Sequence, residues 1–155
     1  MIPVNEPVIG VRDQEYVLEC LQSGWVSSAG KFIETFESSW AQYCDRQHGI
    51  TTSSGTSALQ TSLACLELKP GDEVIIPTFT IISCALAVIY NGGTPILVDA
   101  NPETWCMNVS QIEERITKRT RAIMAVHIYG HPVDMDPLLQ IAEQNDLAVI
   151  EDAAE

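Results

Sequence analysis

From residue 48 onward, short apolar runs alternate with longer amphipathic runs. This alternation predicts strands and helices in turn. The strands are expected at residues 48–52, 73–76, 95–98, 121–126 and 147–150, and the helices at residues 58–66, 82–90, 110–116 and 137–145. Apolar strands that alternate with helices form a mostly parallel sheet with helices on both faces. The sequence therefore predicts an α/β fold.

Two of these helices carry signals for their first turns. Ser110 followed by Glu113 matches a capping box, in which each side chain accepts a free backbone N–H. Asp136 precedes Pro137, and proline suits a first turn because the N–H that it lacks would have no partner there. We therefore expect Ser110 and Asp136 to cap these helices.

Residues 1–47 show helical periodicity after an irregular, Pro-rich start. Helices are expected at residues 13–23 and 31–43, with a loop at 24–30 between them. The second helix carries an aromatic stripe that includes Phe32, Phe36 and Trp40, and we expect this stripe to pack in a core. The sequence thus divides into an N-terminal helical segment, residues 1–47, and a sheet domain, residues 48–155.

The chain of 155 residues carries a formal net charge of −13. An acidic surface repels phosphate backbones and anionic lipid, so neither nucleic acid nor a membrane is an expected partner. No apolar run is long enough to span a bilayer, and the N-terminus lacks the pattern of a signal peptide. We therefore expect a cytoplasmic protein.

Five cysteines stand far apart in the sequence, without a Cys-x-x-Cys motif. Their odd number favours buried, reduced thiols over a disulfide framework or a metal site. His127 and His131 have the i, i+4 spacing of a metal-binding pair, but Gly130 and Pro132 beside them disfavour a helix. The pair is a weak metal candidate, and no metal is expected.

Residues 51–59 combine a hydroxyl-rich turn with the start of a helix. A helix N-terminus offers free N–H groups and the positive end of a dipole, which suit a phosphate group. Gly55 would let the backbone approach the anion, and Ser54, Thr56 and Ser57 offer hydroxyl donors. An ordinary capped helix has the same residues, so both interpretations stay open. The absence of a glycine fingerprint disfavours a nucleotide-binding Rossmann module.

Ligands of parallel sheets bind beyond the carboxyl ends of the strands. The polar residues expected there are Ser54 to Ser57, residues 77–81, Asp99, His127 and Asp152. Asp152 follows an apolar strand, where a carboxylate is costly unless it is paired. It either pairs with a positive ligand group or caps a following helix. A phosphate turn and a carboxylate at one edge suggest a ligand with an anionic and a cationic end, such as pyridoxal phosphate.

Several motifs in series resemble one family of enzymes. They are residues 54–59 (SGTSAL), 70–80 (PGDEVIIPTFT), 126–136 (VHIYGHPVDMD) and 149–155 (VIEDAAE), with residues 2–4 (IPV) and 24–31 (GWVSSAGK) similar too. Together they resemble the DegT/DnrJ/EryC1/StrS nucleotide-sugar aminotransferases over essentially the whole chain. The resemblance implies the aspartate-aminotransferase fold (fold type I) with pyridoxal phosphate as cofactor, and residues 48–155 would be part of its large domain. Residues 77–80, residues 129–132 and Glu155 most resemble the subgroup whose product is GDP-perosamine.

The resemblance implies roles for individual residues. The implied cofactor-binding residues are Ser54, Gly55, Thr56, Phe79, Ile81, Asp152 and Glu155. Gly55 and Thr56 would hold the phosphate, with Ser54 or Ser57 nearby. Asp152 would be catalytic, because it would pair with the pyridine nitrogen. Glu155 would lie by the phenolic oxygen.

The resemblance also implies contacts to the cofactor ring and to the substrate. Residues 79–81 would lie against the ring face, with Ile81 where many relatives have an aromatic side chain, so a stacking role for Phe79 is not expected. Trp25, Ser27 and Ser28 would line the entrance for the nucleotide sugar.

The implied activity is the transfer of an amino group, typically from glutamate, to a 4-keto nucleotide sugar. The family acts as a homodimer, and its Schiff-base lysine lies some tens of residues beyond the motif of Asp152. Lys31, Lys69 and Lys118 match no such lysine, so the chain resembles only the N-terminal part of the enzyme.

This departure leaves three interpretations open. The chain is part of an aminotransferase, or part of a related sugar dehydratase that has histidine at the lysine position. A natural product that ends at Glu155 would instead be a fragment without catalytic activity, able at most to bind a phosphate ligand weakly or to pair with a longer relative.

Overall fold

A computed structural model describes residue 2 and residues 6–155. Met1 and residues 3–5 lie outside the described residues, and part of the resemblance of residues 2–4 falls on them. The contacts within the chain define two units, residues 1–51 and residues 52–155.

The first unit contains the two helices that the periodicity predicts. Helix α1 spans Val11–Ser23, two residues more than expected, and ends at Gly24, whose φ of 75° favours glycine. Helix α2 spans Lys31–Tyr43, as predicted.

The aromatic stripe of α2 is less buried than the sequence predicts. Phe32 is half-buried, but Phe36 and Trp40 are 55% and 53% exposed, and their rings stack on each other with centroids 5.9 Å apart. Ala41 is the one buried residue in the described part of α2. The expectation of core packing is therefore wrong for Phe36 and Trp40, because two short helices cannot enclose a core between them.

The second unit is a four-stranded parallel sheet with helices. The strands are β1 (Glu73–Pro77), β2 (Thr94–Val98), β3 (Thr120–Val126) and β4 (Ala148–Asp152), and the helices are α3 (Gly55–Ala64), α4 (Ile82–Tyr90) and α5 (Met135–Gln144). The strand order is β2-β1-β3-β4, and every neighbouring pair is parallel. This arrangement confirms the α/β fold class. None of the helices described is both long and apolar enough to cross a membrane.

Two apolar clusters lie on opposite faces of the sheet, because side chains alternate along each strand. Met124 of β3 packs with Leu63 of α3 and Val88 of α4 on one face. Its neighbour Ile123 packs with Leu138 of α5 and with Ile112 on the other face. The helices therefore cover both faces, as the alternation predicts.

The strand expected at residues 48–52 does not form. None of these residues belongs to a strand of the structure. The backbone N–H and the hydroxyl of Thr51 both donate to Oε1 of Glu37, at 2.8 Å each. The backbone N–H of Thr51 thus donates to the side chain of Glu37, whereas in a strand it would donate to a carbonyl of the neighbouring strand.

The helix expected at residues 110–116 is also wrong. Two short 3₁₀ turns, Val109–Gln111 and Glu113–Arg115, replace it. The Ser110 hydroxyl donates to Oδ1 of Asn108 at 2.8 Å, so it caps no α-helix. The buried Ile112 anchors the segment, which leaves few residues before β3 begins.

Helix α5 begins earlier than predicted. Asp134 precedes its first residue, so Asp136 and Pro137 both lie in the first turn and Asp136 is not the cap. Proline is tolerated there because the first N–H groups of a helix have no partner within the helix. The other predicted helices and strands are confirmed, with ends that differ by up to three residues.

A buried carboxylate closes the amino-terminal edge of the sheet. The Glu73 side chain is only 4% exposed, and its Oε1 accepts from Nε of Arg119 at 2.9 Å. Its Oε2 accepts from the Thr117 hydroxyl at 2.5 Å. The hydrogen bond from Thr117, with a smaller contribution from Arg119, lowers the pKa of the Glu73 carboxyl. The ionised form is therefore favoured by folding.

We predict that Glu73→Gln lowers the free energy of unfolding at pH 7 by about 1–3 kcal/mol, the scale of hydrogen bonds to a charged group. Because the folded-state pKa is depressed, the stabilisation is present above the ordinary glutamate value of about 4 and is lost as the pH falls below it. Urea unfolding from pH 7 down to pH 3 measures both effects. The exposed Glu103→Gln is the control, and equal curves for the two variants would contradict the prediction.

Candidate functional site

The carboxyl ends of the strands bring the sequence-predicted residues of the second unit to one edge of the sheet. In the parallel register, Pro77 of β1 lies beside Val98 of β2, and Val126 of β3 lies beside Asp152 of β4. The Thr78 hydroxyl donates to Oδ1 of Asp99 at 3.2 Å, which ties together the residues that follow β1 and β2. This edge is the candidate site.

The hydroxyl-rich turn lies at the start of α3. Oγ of Ser54 accepts from the backbone N–H of Ser57 at 3.2 Å, so Ser54 is a true N-cap. Helix α3 begins at Gly55, three residues earlier than predicted, and the N–H groups of Gly55 and Thr56 therefore belong to its first turn. These two N–H groups have no acceptor among the described residues. The turn is thus both a capped helix start and a group of free donors.

The space in front of this turn is open. A Cβ added to Gly55 would meet no atom within 4 Å. The positive end of the α3 dipole and the free N–H groups lie at the same turn. The residues present therefore fit an anionic group such as a phosphate.

A second helix N-terminus lies beside the first. Oγ1 of Thr56 and Oγ of Ser83 are 3.0 Å apart, and Ser83 is in the first turn of α4. Helix α4 begins after Ile81 without a side-chain cap. Two helix dipoles therefore present their positive ends close together, which strengthens the attraction for an anion.

Asp152 is the last residue of β4 and is half-buried. Its Oδ2 lies 3.4 Å from Sγ of Cys84, and its Oδ1 accepts from the backbone N–H of Ala154 at 3.2 Å. No basic side chain among the described residues forms an ion pair with it. The carboxylate therefore has neutral donors but no cationic partner among these residues, and it remains available to a positive ligand group.

Three of the sequence-predicted cofactor residues line one small cleft. Ile81, Asp152 and Glu155 lie around a volume of about 90 Å³, together with Thr80 and the segment 126–128. The carboxylate of Glu155 accepts from the backbone N–H of Tyr129. The structure thus brings Ile81 together with Asp152 and Glu155, which lie far from it in sequence.

Phe79 does not line this cleft. Its ring instead packs near Trp105 and Tyr129, with centroid distances of 5.3 and 6.3 Å. Trp105 and Tyr129 both have positive φ values, 63° and 51°. The three rings form an exposed group apart from the cleft of Asp152.

The predicted substrate residues Trp25, Ser27 and Ser28 all belong to the first unit. Trp25 and Ser27 line a cleft of about 380 Å³ that also includes Phe32 and Lys31, whereas Ser28 is not among its lining residues. The ammonium group of Lys31 forms an ion pair with Glu19 of α1. The role of these residues in substrate binding stays a prediction.

Sequence reasoning missed Ser83 and Cys84. It considered the residues directly after each strand and stopped at Ile81. The predicted start of a helix at Ile82 was a usable signal, because the first turn after a strand of a parallel sheet also faces the ligand. The sequence pattern indicated only that Cys84 is one of five thiols expected to be buried.

The prediction of buried thiols holds for two of the five cysteines. Cys84 and Cys106 are buried, Cys20 is half-buried, and Cys44 and Cys65 are exposed. The last two follow the ends of α2 and α3 directly, where side chains face solvent, so the prediction is wrong for them.

The ring of His127 is held on both sides. Its Nδ1 accepts from the backbone N–H of Val133 at 3.1 Å, so its Nε2 carries the proton and faces Oε2 of Glu151 at 3.2 Å. Both ring nitrogens are therefore engaged in local hydrogen bonds.

Comparison with known proteins gives a family match over most of the chain. The model of the DegT/DnrJ/EryC1/StrS aminotransferase family matches residues 7–155. GDP-perosamine synthase of Escherichia coli O157:H7 is 49% identical over 154 residues, which are 99% of this chain and 42% of that protein. GDP-perosamine synthase of Caulobacter vibrioides is 47% identical with the same coverage. The chain thus spans about two fifths of the length of the curated relatives it matches.

Solved structures share the fold. NtdA of Bacillus subtilis, with bound cofactor PMP, has a TM-score of 0.86 and 40% identity, over 94% of this chain and 34% of that one. DesV of Streptomyces venezuelae, in complex with a ketimine intermediate, has a TM-score of 0.84 and 38% identity, over 91% of this chain and 39% of that one.

We predict that Ser54→Ala destabilises the chain by about 1 kcal/mol, because α3 loses its N-cap. Thermal unfolding measures this loss. Ser53→Ala is the matched control, since the Ser53 hydroxyl contacts only the hydroxyl of Ser57, at 3.2 Å, and accepts no backbone N–H. The cap assignment fails if both variants unfold like the unaltered chain.

Proposed function

Since the chain belongs to the DegT/DnrJ/EryC1/StrS aminotransferase family, we propose that the protein is a pyridoxal-phosphate-dependent nucleotide-sugar aminotransferase. The amino group comes from glutamate and goes to the keto carbon of a 4-keto nucleotide sugar. The names of two similar relatives, both GDP-perosamine synthases, support a GDP sugar and a perosamine-type product.

The observation that carries this proposal is the first turn of α4. Ser83 contacts Thr56 of the anion-binding turn, at 3.0 Å, and the adjacent Cys84 contacts Asp152, at 3.4 Å. One helical turn therefore joins a site for a negative group to a carboxylate that has no cationic partner in the described part of the chain. Pyridoxal phosphate has a phosphate and a ring nitrogen that becomes positive on protonation, and these features fit the two ends of the site.

The residues of the first turn of α3 hold the phosphate. Gly55 and Thr56 donate their free N–H groups, and the Thr56 hydroxyl adds a third donor. Ser54 keeps the turn in place through its bond to Ser57. Gly55 leaves room for the phosphate because it has no Cβ.

Asp152 holds the ring nitrogen in its protonated form. When bound, pyridoxal phosphate supplies an electron sink for the carbon that loses or gains the amino group. The carboxylate of Asp152 makes that sink effective because a negative charge favours a protonated neighbour. Ile81 contacts the ring face with an aliphatic side chain, and Glu155 lies by the phenolic oxygen. Phe79 takes no stacking role, since its ring packs toward Trp105.

The remaining parts of the proposal rest on the family alone. Trp25, Ser27 and Ser28 contact the nucleotide sugar. The protein acts as a cytoplasmic homodimer and supplies amino sugars for a polysaccharide such as an O-antigen. The lysine that carries the cofactor belongs to a part of the protein outside these 155 residues.

The activity is tested with protein expressed from its complete coding sequence. The protein is incubated with pyridoxal phosphate, glutamate and a GDP-linked 4-keto sugar, and mass spectrometry follows the sugar product. An aminated sugar formed together with 2-oxoglutarate supports the proposal. A sugar that has lost a hydroxyl group and gained no amino group would identify a dehydratase instead. An unchanged sugar would show a protein without this activity.

We predict that Asp152→Asn retains part of the cofactor binding but loses most of the turnover, because an amide does not hold the ring nitrogen protonated. Glutamate-dependent half-reaction rates, followed by the absorbance of the cofactor, measure the loss. Glu151→Gln is the matched control, since Glu151 is the exposed neighbour in the same strand. Near-normal turnover of Asp152→Asn would refute the role of Asp152.

We predict that Thr56→Ala weakens cofactor binding by roughly 1–3 kcal/mol, the scale of one charge-assisted hydrogen bond. Equilibrium dialysis against pyridoxal phosphate measures the dissociation constant. Thr61→Ala is the control, because the Thr61 hydroxyl lies one turn further along α3 and donates only to the carbonyl of Ser57. An unchanged dissociation constant for Thr56→Ala would remove Thr56 from the phosphate site.

A further inference from the structure

A chain of three side chains leads from the loop after β1 to the carboxylate at the end of β4. Oγ1 of Thr80 is 3.2 Å from Sγ of Cys84, and that sulfur is 3.4 Å from Oδ2 of Asp152. The directions of these bonds follow from chemistry. An ionised carboxylate only accepts, so the thiol donates to Asp152 and the hydroxyl of Thr80 donates to the sulfur.

The thiol of Cys84 is suited to remain a donor. Cys84 belongs to α4 and is fully buried, in the apolar cluster that α4 forms with α3 and the sheet. Burial raises the pKa of the Cys84 thiol to about 11, and the charge of Asp152 acts in the same direction. The sulfur therefore keeps its proton at neutral pH and is an inert thiol rather than a nucleophile.

We propose that Cys84 is a positioning residue, whose thiol orients the Asp152 carboxylate toward the ring nitrogen of the cofactor. This inference rests on the proposed function of Asp152. The backbone N–H of Ala154 holds one oxygen of the carboxylate and Cys84 holds the other. Because each oxygen accepts one hydrogen bond, rotation of the carboxylate about its terminal bond is restricted, and its remaining lone pairs keep one preferred orientation.

The buried position of Cys84 allows a purely structural role, and the two roles predict different results. If Cys84 only fills space, Cys84→Ala lowers stability and leaves the dissociation constant of pyridoxal phosphate unchanged. If it orients Asp152, the same variant weakens cofactor binding, and Cys84→Ser restores it because a hydroxyl is also a donor.

The first measurement needs no cofactor. In the protein labelled with ¹³C at the cysteine Cβ, NMR follows the Cys84 signal as the pH rises. We expect the pKa of the Cys84 thiol to fall from about 11 in Asp152→Asn, because the adjacent negative charge is removed. An unchanged titration would show that the thiol does not sense Asp152 and would overturn the inference. This measurement stands even if Cys84→Ala does not fold.

The second measurement is the dissociation constant of pyridoxal phosphate in protein expressed from the complete coding sequence. We expect Cys84→Ala to raise it roughly three- to tenfold, the scale of one ordinary hydrogen bond, because a thiol is a weak donor even to a carboxylate. For Cys84→Ser we expect a dissociation constant close to that of the unaltered protein. The matched control is Cys106→Ala, because Cys106 is also buried and its thiol donates to the carbonyl of His131 in the other core. Equal changes of the dissociation constant in Cys84→Ala and Cys106→Ala would overturn the positioning role.

A double-mutant cycle separates this inference from the proposed function. If Cys84 acts through Asp152, Cys84→Ala has no further effect on cofactor binding in the Asp152→Asn background. Full additivity would overturn the positioning role while leaving Asp152 in its place. If Asp152→Asn changes neither binding nor turnover, the proposed function itself fails.

Discussion

Parallel pairing of four strands is the constraint on which the second unit depends. Because all strands of residues 52–155 run in one direction, each must return over a face of the sheet before the next begins. The returns include α4 and α5, and they bury two apolar clusters on opposite faces. The same constraint places every carboxyl end at one edge. The position of the candidate site at that edge is thus a consequence of the topology, and the residues that follow the strands determine its chemistry.

Helix α4 contacts both the turn at the start of α3 and the end of β4, which lie at the carboxyl edge of the sheet. Its first turn contacts the hydroxyl-rich turn at the start of α3 through Ser83 and the carboxylate of Asp152 in β4 through Cys84. The rest of the helix is held by Ala87 and Val88 in the core. Groups carried by a packed helix are held more rigidly than groups on a loop, so the packing of α4 also fixes the distance between the two ends of the site.

Local patterns predicted most of the second unit because its strands are continuous apolar runs, and they failed where tertiary contacts competed. The run at residues 48–52 has the composition of a strand, yet Glu37 takes the hydrogen bonds of Thr51. Ser110 and Glu113 have the spacing of a capping box, yet the short segment around the buried Ile112 forms 3₁₀ turns. In the first unit the periodicity of α2 was read correctly, but burial of Trp40 does not follow from periodicity alone.

The sequence by itself determined the fold class and the placement of polar residues such as Asp152 at strand ends, because these depend on local periodicity. Only the tertiary structure decided which of those residues meet. Cys84 and Asp152 are 68 residues apart in the chain, and Thr56 and Ser83 are 27 apart. Contacts at such separations depend on strand order and helix packing, which no local pattern encodes. For that reason the thiol beside the carboxylate was visible only in the folded chain.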